Sequence, residues 1–290
     1  MRADLDAAHG DAPLEVAFYG GTFTALPPVW RTRFLEEAAR RKPSGQVAAI
    51  RCSTRPDACP PALMRELADQ GLDMVELGVQ TFDDAVLAAA GRGCAARDVE
   101  DASLAIREAG MGLGLQLLPG LPGHTPVMLA EDVRRAIAVA PDLARLHPCL
   151  VLAGTPLAEL WRSGGYLPWE LDETVNALGS AVLDLWRSGI AVTRIGLAPD
   201  PALEAAMLAG PRDPALGTMV RARALFLDIR ERLGSHQGVR RATGLRAPQR
   251  LSGEFWGVRR GLAPEYQTLG LDAASVRFED REDFQLDVLA

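Results

Sequence analysis

Gly112-Leu113-Gly114-Leu115-Gln116-Leu117-Leu118-Pro119-Gly120-Leu121-Pro122-Gly123-His124-Thr125 is the stretch on which the fold turns. Its first half is an apolar run over 111–118, too short for a helix and of the length of a buried strand. Its second half is a Gly/Pro loop, and a helical pattern follows over 126–140. Upstream, a helical pattern over 95–109 stops at Gly110, a helix-ending signal. Helix, strand, loop and helix in this order are the repeating parts of an α/β protein.

The same alternation extends outward in both directions. Apolar runs rich in Val, Ile and Leu lie at 14–19, 47–52, 74–79, 111–118, 145–152 and 190–197. Helical patterns fill the gaps at 28–41, 60–70, 83–90, 95–109, 126–140, 156–163 and 171–188. Pro60 and Pro61 suit a first helical turn, and Gly71, Gly91 and Gly189 are further helix-ending signals. Near-continuous apolar strands at this spacing predict a parallel sheet covered by helices. An open doubly wound sheet and a partial barrel both satisfy the pattern. Beyond 200 it changes to a long helix over 215–233, a Gly/Arg/Gln-rich loop over 234–250, and short strands over 252–290. Trp256, Tyr266 and Phe284 are candidate core residues there. The expected domains are a barrel over 1–200 and a C-terminal extension over 201–290.

Composition narrows the class. Across 290 residues, hydrophobic residues make up 48% and charged residues 24%, ordinary for a globular protein. No apolar run reaches the roughly 20 residues that span a bilayer, and the first residues carry no secretory h-region. The expectation is a cytoplasmic protein without a membrane partner. A net charge of −7 argues against bulk electrostatic binding of nucleic acid. Charge is uneven: residues 221–260 hold ten Arg against Asp228, Glu231 and Glu254, while 271–290 are acidic. Such asymmetry marks either an anionic partner or a solvated helix and loops beside an acidic tail. Lys42 is the only lysine, so the Arg excess is a chain-wide preference and the second reading is preferred. Cys52, Cys59, Cys94 and Cys149 are scattered and suggest neither a disulfide framework nor a zinc site.

Ligands of parallel α/β folds bind at the C-terminal ends of the strands, where this chain places distinctive residues. Phe18-Tyr19-Gly20-Gly21-Thr22-Phe23-Thr24 follows the first strand, and a Gly pair there admits close backbone approach. Ser53-Thr54-Arg55-Pro56-Asp57 follows the second. The third ends in Glu76-Leu77-Gly78-Val79-Gln80-Thr81-Phe82, with an amide directly after an apolar strand. Gly91-Arg92-Gly93-Cys94 offers an arginine suited to a carboxylate. Gln116 is a polar residue inside an apolar strand. Gln80 and Gln116 read either as ligand contacts or as satisfied structural amides, and Arg92 as a ligand contact or a surface cation. His124 and His147 read as structural, and Cys94 as a small loop residue.

Taken in order, these segments resemble the radical-SAM domain of the elongator-acetyltransferase-like group, with oxygen-independent coproporphyrinogen oxidases more distant. Leu150-Val151-Leu152-Ala153-Gly154-Thr155-Pro156-Leu157 and Arg194-Ile195-Gly196-Leu197 extend the resemblance, which covers about 14–225. It implies a partial (βα)6, TIM-like barrel binding S-adenosylmethionine (SAM) beside a 4Fe-4S cluster. Gly20, Gly21 and Thr22 would meet the SAM amino group. Gln80 would lie near the ribose, Arg92 near the carboxylate and Gln116 deeper, with Gly120 and Pro122 on the adenine side. The implied activity is reductive cleavage of SAM and hydrogen abstraction from an unknown substrate, with flavodoxin or ferredoxin as reductant. A tRNA substrate is implied by analogy alone, and the residues after the barrel are too few for an acetyltransferase domain.

The chain departs from the group in one respect. The group's Cys-x3-Cys-x2-Cys ligand motif occurs nowhere in these 290 residues, and none of the 19 residues before Gly20 is Cys. The expectation is an N-terminally incomplete barrel with the first βα unit missing, inactive as it stands. The alternatives are a cluster-free barrel holding SAM or a nucleotide, and an unrelated barrel enzyme using Glu76, Asp57 or His147 for acid–base work.

Overall fold

Five strands lie side by side in sequence order and all run parallel: β1 (Leu14–Phe18), β2 (Val47–Thr54), β3 (Met74–Gln80), β4 (Gly112–Leu117) and β5 (Leu143–Leu146). Helices α1 (Pro28–Ala39), α2 (Pro61–Asp69), α3 (Asp84–Ala89), α4 (Ala96–Glu108) and α5 (Pro126–Ala138) fall between them. The computed structural model describes Leu5 and residues 12–198, 200–234 and 241–288. Arg240, part of the arginine-rich stretch, lies outside the described residues. The molecule forms two compact units, Met1–His147 and Pro148–Ala290. The boundary expected at 200 therefore falls inside the second unit.

Local chemistry sets the helix limits. Thr125 caps α5 by accepting from Met128 N at 3.3 Å, with Pro126 in the first turn. Asp83 caps α3 by accepting from Val86 N at 2.9 Å. Gly110, at φ +76°, ends the α4 turn in a conformation that an L side chain resists. Along α4, Val99, Ala102, Ala105 and Ile106 form one buried stripe at helical spacing.

The strand register separates two unlike faces. Ile50, Cys52, Val75, Leu77, Leu113, Leu115, Ala144 and Leu146 alternate onto one face and are buried. With Leu35, Met64, Leu67, Val99, Ile106 and Val133 of the helices they make the core of this unit. Each such side chain contributes roughly 1.5–3 kcal/mol relative to exposure. The opposite face carries Arg51, Ser53, Glu76, Gly78, Gly112, Gly114, Gln116 and Arg145 in register across β2–β5, with Met74 and Leu143 as its apolar members. This corrects the reading of the strands as near-continuously apolar: half of each inner strand is small, polar or charged.

In the second unit, α6 (Pro156–Arg162) and α7 (Leu171–Arg187) lead to strand β7 (Ala191–Ile195), continuing the βα alternation. The run expected as one strand at 145–152 is divided. Pro148 lacks the N–H a ladder needs, so β5 stops at Leu146 and β6 (Val151–Leu152) pairs antiparallel with β8 (Met207–Ala209). A short helix, α8 (Pro201–Ala206), precedes β8, and α9 (Leu216–Gly234) packs on α7. A Cβ at Gly179 would lie 2.5 Å from Arg223 Cγ, so α9 closes on α7 at that glycine.

The loop expected over 234–250 instead contains a strand, β9 (Ala242–Pro248). It is central in a three-stranded sheet, parallel to β10 (Val276–Glu279) and antiparallel to β11 (Gln285–Val288). Helix α10 (Ala263–Thr268) supplies Tyr266, which stacks on Phe255 at 4.4 Å between ring centres. Both rings are fully buried, and Trp256 and Phe284 pack against that cluster half-buried. Arg221, Arg223, Arg232 and Arg246 pair with Glu254, Glu265, Asp228 and Asp287. The arginine-rich stretch thus spends much of its charge inside its own unit.

Candidate functional site

At the C-terminal end of β3 the backbone leaves regular geometry. The β3–β4 register slips between Gly78 and Gln80, a bulge, and Gln80 takes φ +69°. A left-handed glutamine costs about 1 kcal/mol or more, and its carbonyl is held by Leu118 N at 2.8 Å. The residue is 3% exposed. Its side-chain amide makes no hydrogen bond among the described residues. That amide folds back over Gly78, where a Cβ would lie 2.8 Å from Gln80 Nε2. The residue as a whole is buried, but its amide keeps some accessible surface and no protein partner, so it is available to whatever occupies the strand end.

The loop after β4 is fixed to the loop after β3 by a buried polar relay. Gly120 N donates to His124 Nδ1 at 3.0 Å, which leaves Nε2 carrying the proton toward Asp132 Oδ2 at 3.1 Å. Asp132 Oδ1 accepts from Thr81 Oγ1 at 3.0 Å and from Phe82 N at 2.7 Å. Arg135 Nη1 donates to the Phe82 carbonyl at 2.9 Å. His124 is thus structural, as expected, and it orders Pro119–Gly123 beside Gln80.

A charged cluster occupies the polar face below these loops. Glu76, buried on β3, receives a hydrogen bond from Tyr19 Oη at 2.5 Å. Arg145 on β5 donates through Nη2 to Tyr19 Oη at 2.8 Å. The Nε atoms of Arg145 and Arg51 face the carboxylate at 3.1 and 3.5 Å without hydrogen-bond alignment. Arg51 also pairs with Glu15 at 2.8 Å. A Cβ at Gly114 would meet Glu76 Cγ at 2.8 Å, so that glycine lets the carboxylate cross β4 toward β5. Burial and Glu76 push the Tyr19 phenol up to about 12. Sequence reading gave Tyr19, Arg51 and Arg145 no role. The available signal was a charge inside each of three apolar runs.

The remaining candidates are placed as follows. Gly20, at φ +99°, and Gly21 are exposed at the end of β1, with open space where a Cβ would stand. They border a cavity of about 310 Å³ with Phe18, Tyr19, Thr22 and Phe34. Gln116 lies in register with Gly78 and Arg145. Gly120 and half-buried Pro122 lie in the ordered β4 loop. Arg92 is half-buried in the loop after α3, and its guanidinium forms no ion pair among the described residues. Gly20, Gly21, Gln80, Gln116 and Gly120 thus share the C-terminal edge of one sheet. Asp57 pairs with Arg55, and Glu76 with its arginines, so neither faces a second free acid or base.

The cysteines do not fit an iron–sulfur cluster. Cys52 is buried on the apolar face of β2, with its thiol pushed well up by desolvation. Cys59 is buried and raised to about 12, and Cys149 lies in the other unit beside Tyr166. Among the described residues no three His, Cys, Asp or Glu side chains are grouped to hold a metal ion. A SAM molecule fares differently: the unpaired amide of Gln80 and the open Gly20-Gly21 turn are what a polar nucleoside ligand would use. No described helix is long and apolar enough to cross a membrane.

Comparison with known proteins bears on the family and the fold. The family model of the Radical SAM superfamily matches residues 3–136, and that of the Radical SAM C-terminal domain matches 141–225. A tRNA uridine(34) acetyltransferase from Dehalococcoides mccartyi is 31% identical over 193 residues, covering 58% of this chain and 41% of that protein. The chain spans less than half the length of the curated relatives it matches. Archaeal Elp3 from Methanocaldococcus infernus, with an N-terminal deletion, is similar in structure at a TM-score of 0.66 and 24% identity, covering 80% of this chain and 58% of that one. Coproporphyrinogen III oxidase from Escherichia coli gives a TM-score of 0.51 at 21% identity, covering 60% and 40%. The fold is the α/β half-barrel of these proteins.

Proposed function

The chain belongs to the radical SAM superfamily, and from that premise we propose that the C-terminal edge of its β1–β5 sheet binds S-adenosylmethionine. The observation that carries this is Gln80, left-handed in the bulge at that edge, with an amide that has no protein partner and is not sealed in the core. In this reading the backbone of Gly20, Gly21 and Thr22 takes the amino group and Arg92 the carboxylate. Gln80 takes the ribose, Gln116 lies deeper, and Gly120 and Pro122 bound the adenine. SAM bound there would supply the sulfonium chemistry of the superfamily. The chain's own contribution is binding and orientation: the ordered 119–123 loop limits water on one side, and Gln80 meets the ligand without reorganising.

Calorimetry with SAM tests this. Gln80→Gly removes the amide while relieving the left-handed strain, so the variant should remain as stable as the parent. Loss of the amide's hydrogen bonds should weaken binding about tenfold. Failure of the parent chain to bind SAM overturns the reading.

For the catalytic role, the reading follows the superfamily: reductive SAM cleavage and hydrogen abstraction, with a flavodoxin- or ferredoxin-type reductant. The substrate class suggested by the Dehalococcoides relative is tRNA. One observation favours a second reading, a cluster-free scaffold that holds SAM or a nucleotide without catalysis: Cys52, Cys59 and Cys149 are buried, Cys94 is half-buried, and the four do not converge on a metal site among the described residues. Translating the gene in frame upstream of Met1, then anaerobic reconstitution of the longer product with iron, sulfide and dithionite, separates the two. An upstream Cys-x3-Cys-x2-Cys and formation of 5′-deoxyadenosine support the enzyme, and stop codons upstream with SAM bound without turnover support the scaffold.

A further inference from the structure

The Gly20-Gly21 turn has no means of ordering itself. Neither glycine has a side chain, both are exposed, and a Cβ at either would stand in open space. Two free glycines cost the most conformational entropy to fix. A turn that must meet a ligand therefore needs anchors at its ends.

The C-terminal anchor is plain. Phe23 and Thr24 are buried, Thr24 Oγ1 meets Thr54 Oγ1 at 2.5 Å, and Arg31 Nη1 donates to the carbonyls of Thr24 and Leu26 at 2.9 and 2.6 Å. The N-terminal end is unusual. Tyr19 is 48% exposed, yet its hydroxyl is fixed on both sides, donating to Glu76 and accepting from Arg145. The Arg51 and Arg145 guanidiniums also stand 5.9 and 5.1 Å from its ring centre. Nothing in the packing of the core requires this, because the ring is half outside it. What it does fix is the direction in which the chain leaves β1.

We propose that Tyr19, held by buried Glu76 and by Arg145, is a positioning residue that sets the Gly20–Thr22 turn for the amino-acid end of the bound ligand. Glu76 and Arg145 act through Tyr19 and need not touch the ligand. Gly114 belongs to the same device, since a side chain there would block the carboxylate from reaching β5. The proposal rests on the SAM-binding reading above and adds to it which residues order the turn.

The test uses two probes with the full chain: S-adenosylhomocysteine, and 5′-methylthioadenosine, which has the nucleoside but no amino-acid part. Tyr19→Phe removes only the hydroxyl of a half-exposed ring. It should lower affinity for S-adenosylhomocysteine about tenfold, the loss of one charge-assisted bracket, and leave 5′-methylthioadenosine affinity unchanged. Amide hydrogen exchange at Gly20–Thr22 should quicken by more than the modest loss of global stability from the unmet Glu76 carboxylate explains. Equal losses for both probes would mean a merely structural role and overturn the proposal, as would unchanged affinity for both. A parent chain that binds neither probe brings down the SAM-binding reading itself, and this proposal with it.

Discussion

A Cβ placed on Gly78 would stand 2.8 Å from the side-chain nitrogen of Gln80, two residues along the same strand. The glycine is therefore the floor on which the Gln80 amide rests. Because the colliding atom is the far end of a flexible side chain, Gly78→Ala should be absorbed by swinging that amide away. The added methyl also lowers unfolded-state entropy by about 0.4–1 kcal/mol. The expected result is unchanged stability in urea together with SAM affinity reduced about tenfold, as for loss of the amide itself. Parallel denaturation and calorimetry check it, and unchanged affinity would show that the amide is not a ligand group.

How much of this was legible beforehand depends on the kind of feature. The βα alternation was, because each strand is a short apolar run between helix-ending glycines and helix-opening prolines. Gln80 and Gln116 were visible too, as lone amides against apolar backgrounds. The cluster of Arg51, Glu76 and Arg145 was not. Each charge sits in a different strand, and only the register of β2, β3 and β5 shows that they meet. The left-handed turn at Gln80 was equally hidden, since no residue type signals it. Strand β9 escaped because Ala242-Thr243-Gly244-Leu245-Arg246-Ala247-Pro248 has weak strand preference. Its pairing with β10 and β11 over the Phe255–Tyr266 core overrides that preference.

The Asp132 carboxylate serves three donors: Thr81 Oγ1, Phe82 N and His124 Nε2. Asp132→Ala strands all three in a buried setting, and unmet buried groups cost about 1–3 kcal/mol each. The expected destabilisation is about 3 kcal/mol or more, because neighbouring losses do not simply add. The same change should release the Pro119–Gly123 loop. Proteolysis would then cut near Gly123 in the variant under conditions where the parent is intact.

Tyr266 presents the opposite case. Its hydroxyl is buried without a hydrogen-bond partner, although the ring packs between Phe226 and Phe255. Tyr266→Phe removes an unsatisfied polar atom and keeps the stacking. Stability should rise by up to about 1 kcal/mol, the reverse of a usual core substitution. Thermal unfolding decides it, and a loss above that size would mean that the hydroxyl has a partner, such as a buried water.

Alkaline pH should unfold the chain through its tyrosines. All three, Tyr19, Tyr166 and Tyr266, have phenols pushed up from 10, Tyr19 to about 12, chiefly by desolvation. A phenol whose folded value is raised stays protonated in the folded state while the unfolded chain ionises. The folded state then binds more protons between the two values, so stability falls as pH rises through that window. The stabilising contribution is whole below pH 10 and is lost progressively as pH approaches and passes 12. Cys59, raised to about 12 by burial, adds to the same limb from its ordinary value of 9. Spectrophotometric titration should therefore show little tyrosinate at pH 10 in the native chain, then a steep rise coincident with loss of secondary structure. The half-exposed Tyr19 should lead that rise, and Tyr19→Phe should remove its leading edge. Normal tyrosine titration in a chain that stays folded would refute the burial of these phenols.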